Sequence, residues 1–331
     1  REYIMLFRFT PFLAAAICVA MLPPAHAQDE KLQFLLDRSP AIPNAMGYVN
    51  VGSLDKLMAD TGMPRGVTET VDEYWFVADL DLAASRPKWE AGYATMKSTV
   101  DAEKLAAELG GYVDEISDRK VVWSPGQTYF MPGKENRMGI LRPADRSLLT
   151  QWIDGLKGTL GTPFLQSQSN PPEDYLSMMV AIDLTGALSP VPMAKKLEGL
   201  ESLKSKSPET VAGILASVEG FTVLIGRRGL NECKVMASFG KSPASLRPVA
   251  ADLLAEILEQ SGSSAPEIKS WKVTAKDNTL SLQGAVTEST LSGLLSVFSL
   301  QDQARKTARL SDGESSSRSR AHQRGYRAKN F

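Results

Sequence analysis

Apolar and polar positions recur along this chain with a period of two over some stretches and between three and four over others, and glycine, proline and asparagine fall at the changes between them. Tyr74 to Leu82 illustrates the first kind: Phe76, Ala78, Leu80 and Leu82 share one face and Asp79 and Asp81 the other, as in a half-buried strand. Ala45 to Val51 is a short apolar strand, and Ser53 beyond it caps a helix carrying Leu54, Leu57 and Met58 as far as Gly62. After the Arg86-Pro87 break, Gly92 to Ser98 reads as a further strand. Asp101 opens a helix from Ala102 to Leu109, which Gly110-Gly111 ends. Short strands follow at Tyr112 to Ile116, Lys120 to Trp123, Thr128 to Met131 and Arg137 to Leu141. Pro143 then suits the first turn of an amphipathic helix through Leu148, Leu149, Trp152, Ile153 and Leu156.

Gly158 to Asp174 is rich in Gly, Pro, Ser, Gln and Asn and has no period, so it reads as a junction between domains. Beyond it the spacing predicts a strand at Leu176 to Leu184 and helices at Pro192 to about Leu203 and Pro208 to Val218. Strands at Phe221 to Gly226 and Glu232 to Phe239 flank Arg227-Arg228-Gly229, a hairpin connection. A helix at Leu246 to Leu258, strands at Ile268 to Lys276 and Thr279 to Val286, and a helix from Ser289 toward Leu310 complete the pattern.

The passage from Gly92 to the Pro143 helix and the passage from Glu232 to the Ser289 helix each read strand, helix, strand pair, helix. The expected fold class is therefore α+β, with two related halves, each a mostly antiparallel sheet covered by helices. The connections are too short for parallel crossovers, which argues against a doubly wound fold. The expected organisation is a signal peptide at 1–27, a first half at 28–160, a linker at 161–174, a second half at 175–310 and a disordered basic tail at 311–331.

The leader carries Arg8 ahead of an uncharged apolar stretch from Phe9 to Leu22, then Pro23-Pro24 and Ala25-His26-Ala27. Small residues at Ala25 and Ala27 suit signal peptidase, with the cut before Gln28. The apolar stretch is shorter than the ~20 residues a spanning helix needs, so no membrane span is expected after cleavage. The protein is accordingly expected to be exported, to the periplasm or outside the cell. Bulky Ile17 before Cys18 disfavours a lipid anchor there.

Cleavage removes one of the two cysteines and one of the two histidines, leaving Cys233 and, in the tail, His322. No internal disulfide is then available. Residues 28–310 hold no histidine, which excludes most triad and metal hydrolases. The chain has 37 basic and 38 acidic side chains, and because leader and tail are both net basic the body is mildly acidic. Such a body is a poor partner for nucleic acid.

Individual motifs add little. Cys233 reads as a buried small hydrophobe in an alternating strand. Ser238-Phe239-Gly240-Lys241 has the Ser-x-x-Lys spacing of penicillin-recognising enzymes, but the serine ends a strand rather than starting a helix. Gly240-Lys241-Ser242 lacks the glycine five positions earlier that a phosphate loop requires, and reads as a turn and cap. Asp79 and Asp81 are the only paired acids with a spacing suited to glycoside hydrolysis or a hard cation. The five tryptophans are spread through the elements and read as packing.

Pro43-Asn44-Ala45-Met46-Gly47-Tyr48-Val49-Asn50-Val51, Ala102-Glu103-Lys104-Leu105-Ala106 and Leu280 to Gly284 together resemble a group of exported bacterial proteins of planctomycete type. The resemblance spans Ala41 to Leu300 and implies export without an assigned activity or any site residue. The expectation from the chain as a whole is a non-enzymatic protein with a binding or structural role toward an unknown protein or envelope component. It needs no cofactor, no metal and no catalytic residue. The alternative is a carboxylate-based hydrolase of envelope polymers acting through Asp79 and Asp81.

Overall fold

The computed structural model describes residues 26–51, 70–82, 86–155, 161–169, 177–226, 232–260 and 264–287, with side chains in the first helix from Lys31 onward. Among them are seven α-helices: α1 (His26–Asp37), α2 (Ala102–Leu109), α3 (Arg146–Asp154), α4 (Pro163–Gln168), α5 (Pro190–Leu197), α6 (Pro208–Leu215) and α7 (Ala250–Gln260). The strands are β1 (Ala45–Asn50), β2 (Val71–Asp81), β3 (Arg86–Met96), β4 (Tyr112–Ile116), β5 (Arg119–Ser124), β6 (Thr128–Pro132), β7 (Arg137–Arg142), β8 (Met178–Asp183), β9 (Val218–Ile225), β10 (Glu232–Phe239), β11 (Lys272–Lys276) and β12 (Thr279–Ala285). All twelve form one sheet in the order β11-β12-β10-β9-β8-β1-β2-β3-β7-β6-β5-β4, and every pairing is antiparallel.

The chain is therefore α+β with a large antiparallel sheet, as the alternation implies. Where the sequence suggests a sheet in each half, there is a single one, because β1 pairs with β2 on one side and β8 on the other. The register is continuous from edge to edge. One row runs from Val113 through Val122, Phe130, Ile140, Gly92, Phe76, Gly47, Val180, Val223, Val235 and Leu282 to Val273. Its face is covered by α2, α5, α6 and α7; α1, α3 and α4 cover the other. Strand alternation divides the core accordingly, with Val49, Phe76 and Phe130 facing the first group and Tyr48, Trp75 and Tyr129 the second.

Local chemistry explains the elements that are read correctly. The Asp101 side chain accepts from Lys104 N at 2.8 Å, and Gly110 ends α2 in the left-handed region at φ 67°, as the sequence leads one to expect. Four differences are instructive. Strand β3 starts at Arg86, before the supposed break, because Pro87 sits at a register shift near the strand's start, where a missing N–H is tolerated. Helix α3 is capped by Asp145, which accepts from Ser147 N and Leu148 N; Pro143 lies ahead of the helix. The supposed linker 161–174 contains α4, which buries Phe164 and Leu165 against β8 and β9 after a Thr162 cap. The helix expected from Pro192 to Leu203 is α5 followed, past Gly199, by a 3-10 turn at Glu201–Leu203. In the same way, Leu246 and Ile268 lie in 3-10 turns before α7 and β11 rather than within those elements.

Most of the leader (residues 1–25), the Ser53 helix, the Arg227-Arg228 hairpin, the Ser289 helix and the basic tail lie outside the described residues. Among the described residues, no helix is long and apolar enough to cross a membrane.

Candidate functional site

Helical spacing in α1 places Lys31 and Phe34 one turn apart, with Arg38 directly after the helix, while Leu32, Leu35 and Leu36 are buried against the sheet. The sheet beneath carries an aromatic row, because Tyr48 of β1, Trp75 of β2 and Tyr93 of β3 are register partners in turn. The Tyr48 and Trp75 rings are 4.3 Å apart. Tyr93 continues the row into the helices above, with Trp152 of α3 at 4.9 Å and Phe34 of α1 at 6.2 Å. Such ring contacts stabilise by about 0.5–1.5 kcal/mol each beyond area burial.

Basic groups border these rings. Lys31 Nζ lies 4.2 Å from the Trp75 ring centroid and donates to Glu73 Oε2 at 2.8 Å. Arg38 Cζ lies 4.7 Å from the Phe34 centroid. Arg119 and Arg137 open β5 and β7, and alternation puts them on the same face as Val121 and Leu141, toward Tyr93. Burial pushes the Tyr93 hydroxyl pKa up, while Arg119, Arg38 and Arg137 act on it in the opposite direction. Burial, and then the charge of Glu73, hold the Tyr48 hydroxyl well above the usual tyrosine range. The indole Nε1 atoms of Trp75 and Trp152 are buried and lack an acceptor among the described residues.

A second polar cluster lies on the opposite face. Tyr74 of β2 donates its hydroxyl to Glu90 Oε1 of β3 at 2.5 Å, and Arg142 of β7 is the register partner of Glu90. Burial raises the Glu90 carboxyl pKa; Arg142 and the Tyr74 hydrogen bond oppose it. A buried acid of this kind is a recurrent mark of active sites. Here Glu90 and Tyr74 are only 4% and 6% exposed, and their hydrogen bond ties β2 to β3 away from solvent.

The candidates read from the sequence are not brought together. Asp79 is engaged by Lys88 Nζ at 3.0 Å, and Asp81 is in register with Arg86. Because the Asp79 pair is partly exposed, Asp79→Ala/Asp81→Ala is expected to change stability by no more than about 1 kcal/mol, measured by urea unfolding. Ser238 lies inside β10, paired with Thr279 and Gly220, and the 3-10 turn at Ala244–Leu246 has Pro243 at its cap position, with Ser242 Oγ accepting from Ala244 N at 3.5 Å. Among the described residues, no group of three or more His, Cys, Asp or Glu side chains is placed to hold a metal ion.

Cys233 is wholly buried, and burial pushes its thiol up to about 12. An aromatic disulfide reagent is therefore expected to leave it unmodified in the native protein and to react within minutes once denaturant is added. Rapid native labelling would contradict this.

Reading tryptophans singly misses the aromatic row, since Tyr48, Trp75, Tyr93 and Trp152 are neighbours only through register and helix packing. The available signal was the spacing of Leu32, Leu35 and Leu36, which marks α1 and with it Phe34 and Arg38.

No protein-family model matches the chain, and no curated protein matches it in sequence. Among solved structures it is similar to TP0453, a spirochete protein. Crystal form III gives a TM-score of 0.48 at 9% identity, covering 84% of this chain and 98% of that one. Form I gives 0.46 at 11% identity, covering 85% and 98%. Form IV gives 0.45 at 8% identity, covering 78% and 95%.

Proposed function

We propose that this is an exported, non-enzymatic binding protein whose binding face lies where the aromatic row beneath α1 and α3 reaches the surface, at Phe34 and Tyr93. The observation that carries the reading is the run of rings from Tyr48 through Trp75 and Tyr93 to Trp152 and Phe34, bordered by Lys31, Arg38, Arg119 and Arg137. Phe34 is 39% exposed, so the outer end of the row is open to a ligand. The acids and the thiol have structural engagements: Asp79 with Lys88, Glu73 with Lys31, Glu90 with Tyr74, and Cys233 sealed in the sheet. Export rests on the leader sequence. Its removal before Gln28 is compatible with α1, since Leu32, Leu35 and Leu36 all lie beyond the cut. The resemblance to exported proteins of planctomycete type belongs to the same reading.

Relatedness of the two halves is part of the proposal. Outward from the central β1–β8 pair, the orders β1-β2-β3-β7-β6 and β8-β9-β10-β12-β11 correspond strand for strand. After the third strand of each, α2 and α7 follow and pack on the same face. The β4–β5 hairpin is an addition to the first half.

The test is native mass spectrometry of protein recovered from its exported compartment, beside a Tyr93→Ser variant. A mass beginning at Gln28 with an adduct that Tyr93→Ser loses supports the proposal. Bare, identical masses, apart from the substitution, would sink it.

A further inference from the structure

We infer that the face around Tyr93 binds a ligand carrying a carboxylate or phosphate on a ring, with Arg38, Arg119 and Arg137 holding the anion and Phe34 and Tyr93 receiving the ring. The inference rests on the binding role proposed above and specifies its chemistry. Arg38 directly follows α1 and lies over Phe34, and Arg119 and Arg137 open β5 and β7 on the sheet face that carries Tyr93. Thr95 pairs with Arg137 and Tyr93 with Gly139, so the β7 arginine lies one same-face position along from Tyr93. Arg38 reaches the site through Phe34, whose ring is 6.2 Å from that of Tyr93.

The neighbouring acids do not balance these charges. Among the described residues Arg38 and Arg119 make no ion pair, and Arg137 has only Glu135 at 3.6 Å, a side chain 80% exposed. Glu73 is taken by Lys31, and Asp37, next to Arg38, accepts from Gln33 Nε2. Like charges gathered beside a half-buried phenol repel one another unless an anion joins them. The hydrogen-bonding inventory points the same way, since guanidinium groups and an indole N–H can only donate. The buried Trp152 Nε1, whose ring lies 4.9 Å from Tyr93, has no acceptor among the described residues. A carboxylate or phosphate offers several acceptor oxygens and matches guanidinium in a paired geometry. A neutral ring would use the aromatic surface and leave the donors unanswered.

Tryptophan fluorescence of the mature full chain, titrated at constant ionic strength with glucuronate, glucose 6-phosphate and glucose, provides the test. Saturable quenching by one or both anionic sugars and none by glucose is the expected result, and the stronger of the two distinguishes carboxylate from phosphate. Arg119→Gln and Arg137→Gln should each weaken the response about tenfold, as loss of one charge-assisted hydrogen bond implies. Both positions are exposed at strand starts, and circular dichroism would verify that the variants fold. Equal binding of glucose and glucuronate, unchanged affinity in both variants, or no response to either anion would overturn the inference. If an adduct were still lost on Tyr93→Ser, the binding face would stand and only its anionic ligand would be withdrawn.

Discussion

Phe76→Ala should lower stability by about 3–5 kcal/mol, read as a fall in the urea midpoint at unchanged slope. Phe76 is 2% exposed and occupies the middle of the edge-to-edge row, with Gly47 of β1 and Gly92 of β3 as its register partners. Its ring stacks on that of Tyr74 at 5.8 Å. Gly47 leaves space that the ring fills, since a Cβ there would overlap it, whereas a Cβ on Gly92 would meet Trp75 O and the Tyr74 ring. With no side chain at either flank to move inward, truncation leaves a cavity at the centre of the sheet. The same geometry predicts that Gly47→Ala alone costs about 1–3 kcal/mol by overpacking. Combining Gly47→Ala with Phe76→Leu should cost less than the two single changes together, since a smaller side chain admits the new methyl group. Strict additivity, or a loss below about 1 kcal/mol for Phe76→Ala, would show that the row is not packed as described.

Glu90 should make stability depend on pH in the direction opposite to that of a salt-bridged acid. Burial raises its carboxyl pKa above 4.5, so the folded chain holds this proton more tightly than the unfolded chain does. The resulting stabilisation is complete below the unfolded value of 4.5 and is lost as pH rises through the folded value. Glu90→Gln retains an acceptor for Tyr74 and cannot ionise. It should therefore flatten the pH profile above 4.5 and be at least as stable as the parent at neutral pH. Glu90→Leu removes the acceptor at 2.5 Å and should cost about 1–3 kcal/mol at acid pH. Urea midpoints from pH 4 to 8 provide the comparison. Parallel profiles for the parent and Glu90→Gln would rule out a neutral Glu90 in the folded state.

How much of this was legible in the sequence depends on the range of the physics involved. Helix α2 is readable because Asp101, Leu105 and Gly110 act within a single turn or two of one another. Strands β4, β10 and β12 are readable because alternation and turn residues are equally local. Pro87 misleads because a proline acts as a break in a central position but is tolerated beside a register shift near a strand's start. Segment 161–174 misleads because polar composition conceals two apolar residues, Phe164 and Leu165, that are enough to dock a short helix. At the candidate site, Asp79 and Asp81 were conspicuous as a pair, yet their surroundings consist of Lys88 and the register opposite Arg86. The aromatic row was visible only as scattered residues.

The sequence by itself determined the class of elements, most of their limits, the absence of histidine from residues 28–310 and the inward side of each strand, because caps, turns and alternation act over a few residues. Tertiary structure alone decided that both halves share one sheet, that Phe76 fills the space beside Gly47, that Glu90 accepts from Tyr74, and that Arg137 lies one same-face position along from Tyr93. The physical reason is that antiparallel pairing is chemically permissive. Any strand's backbone can bond to any other's, so strand order and register are chosen by the packing of both faces together, and no short stretch of chain contains that information.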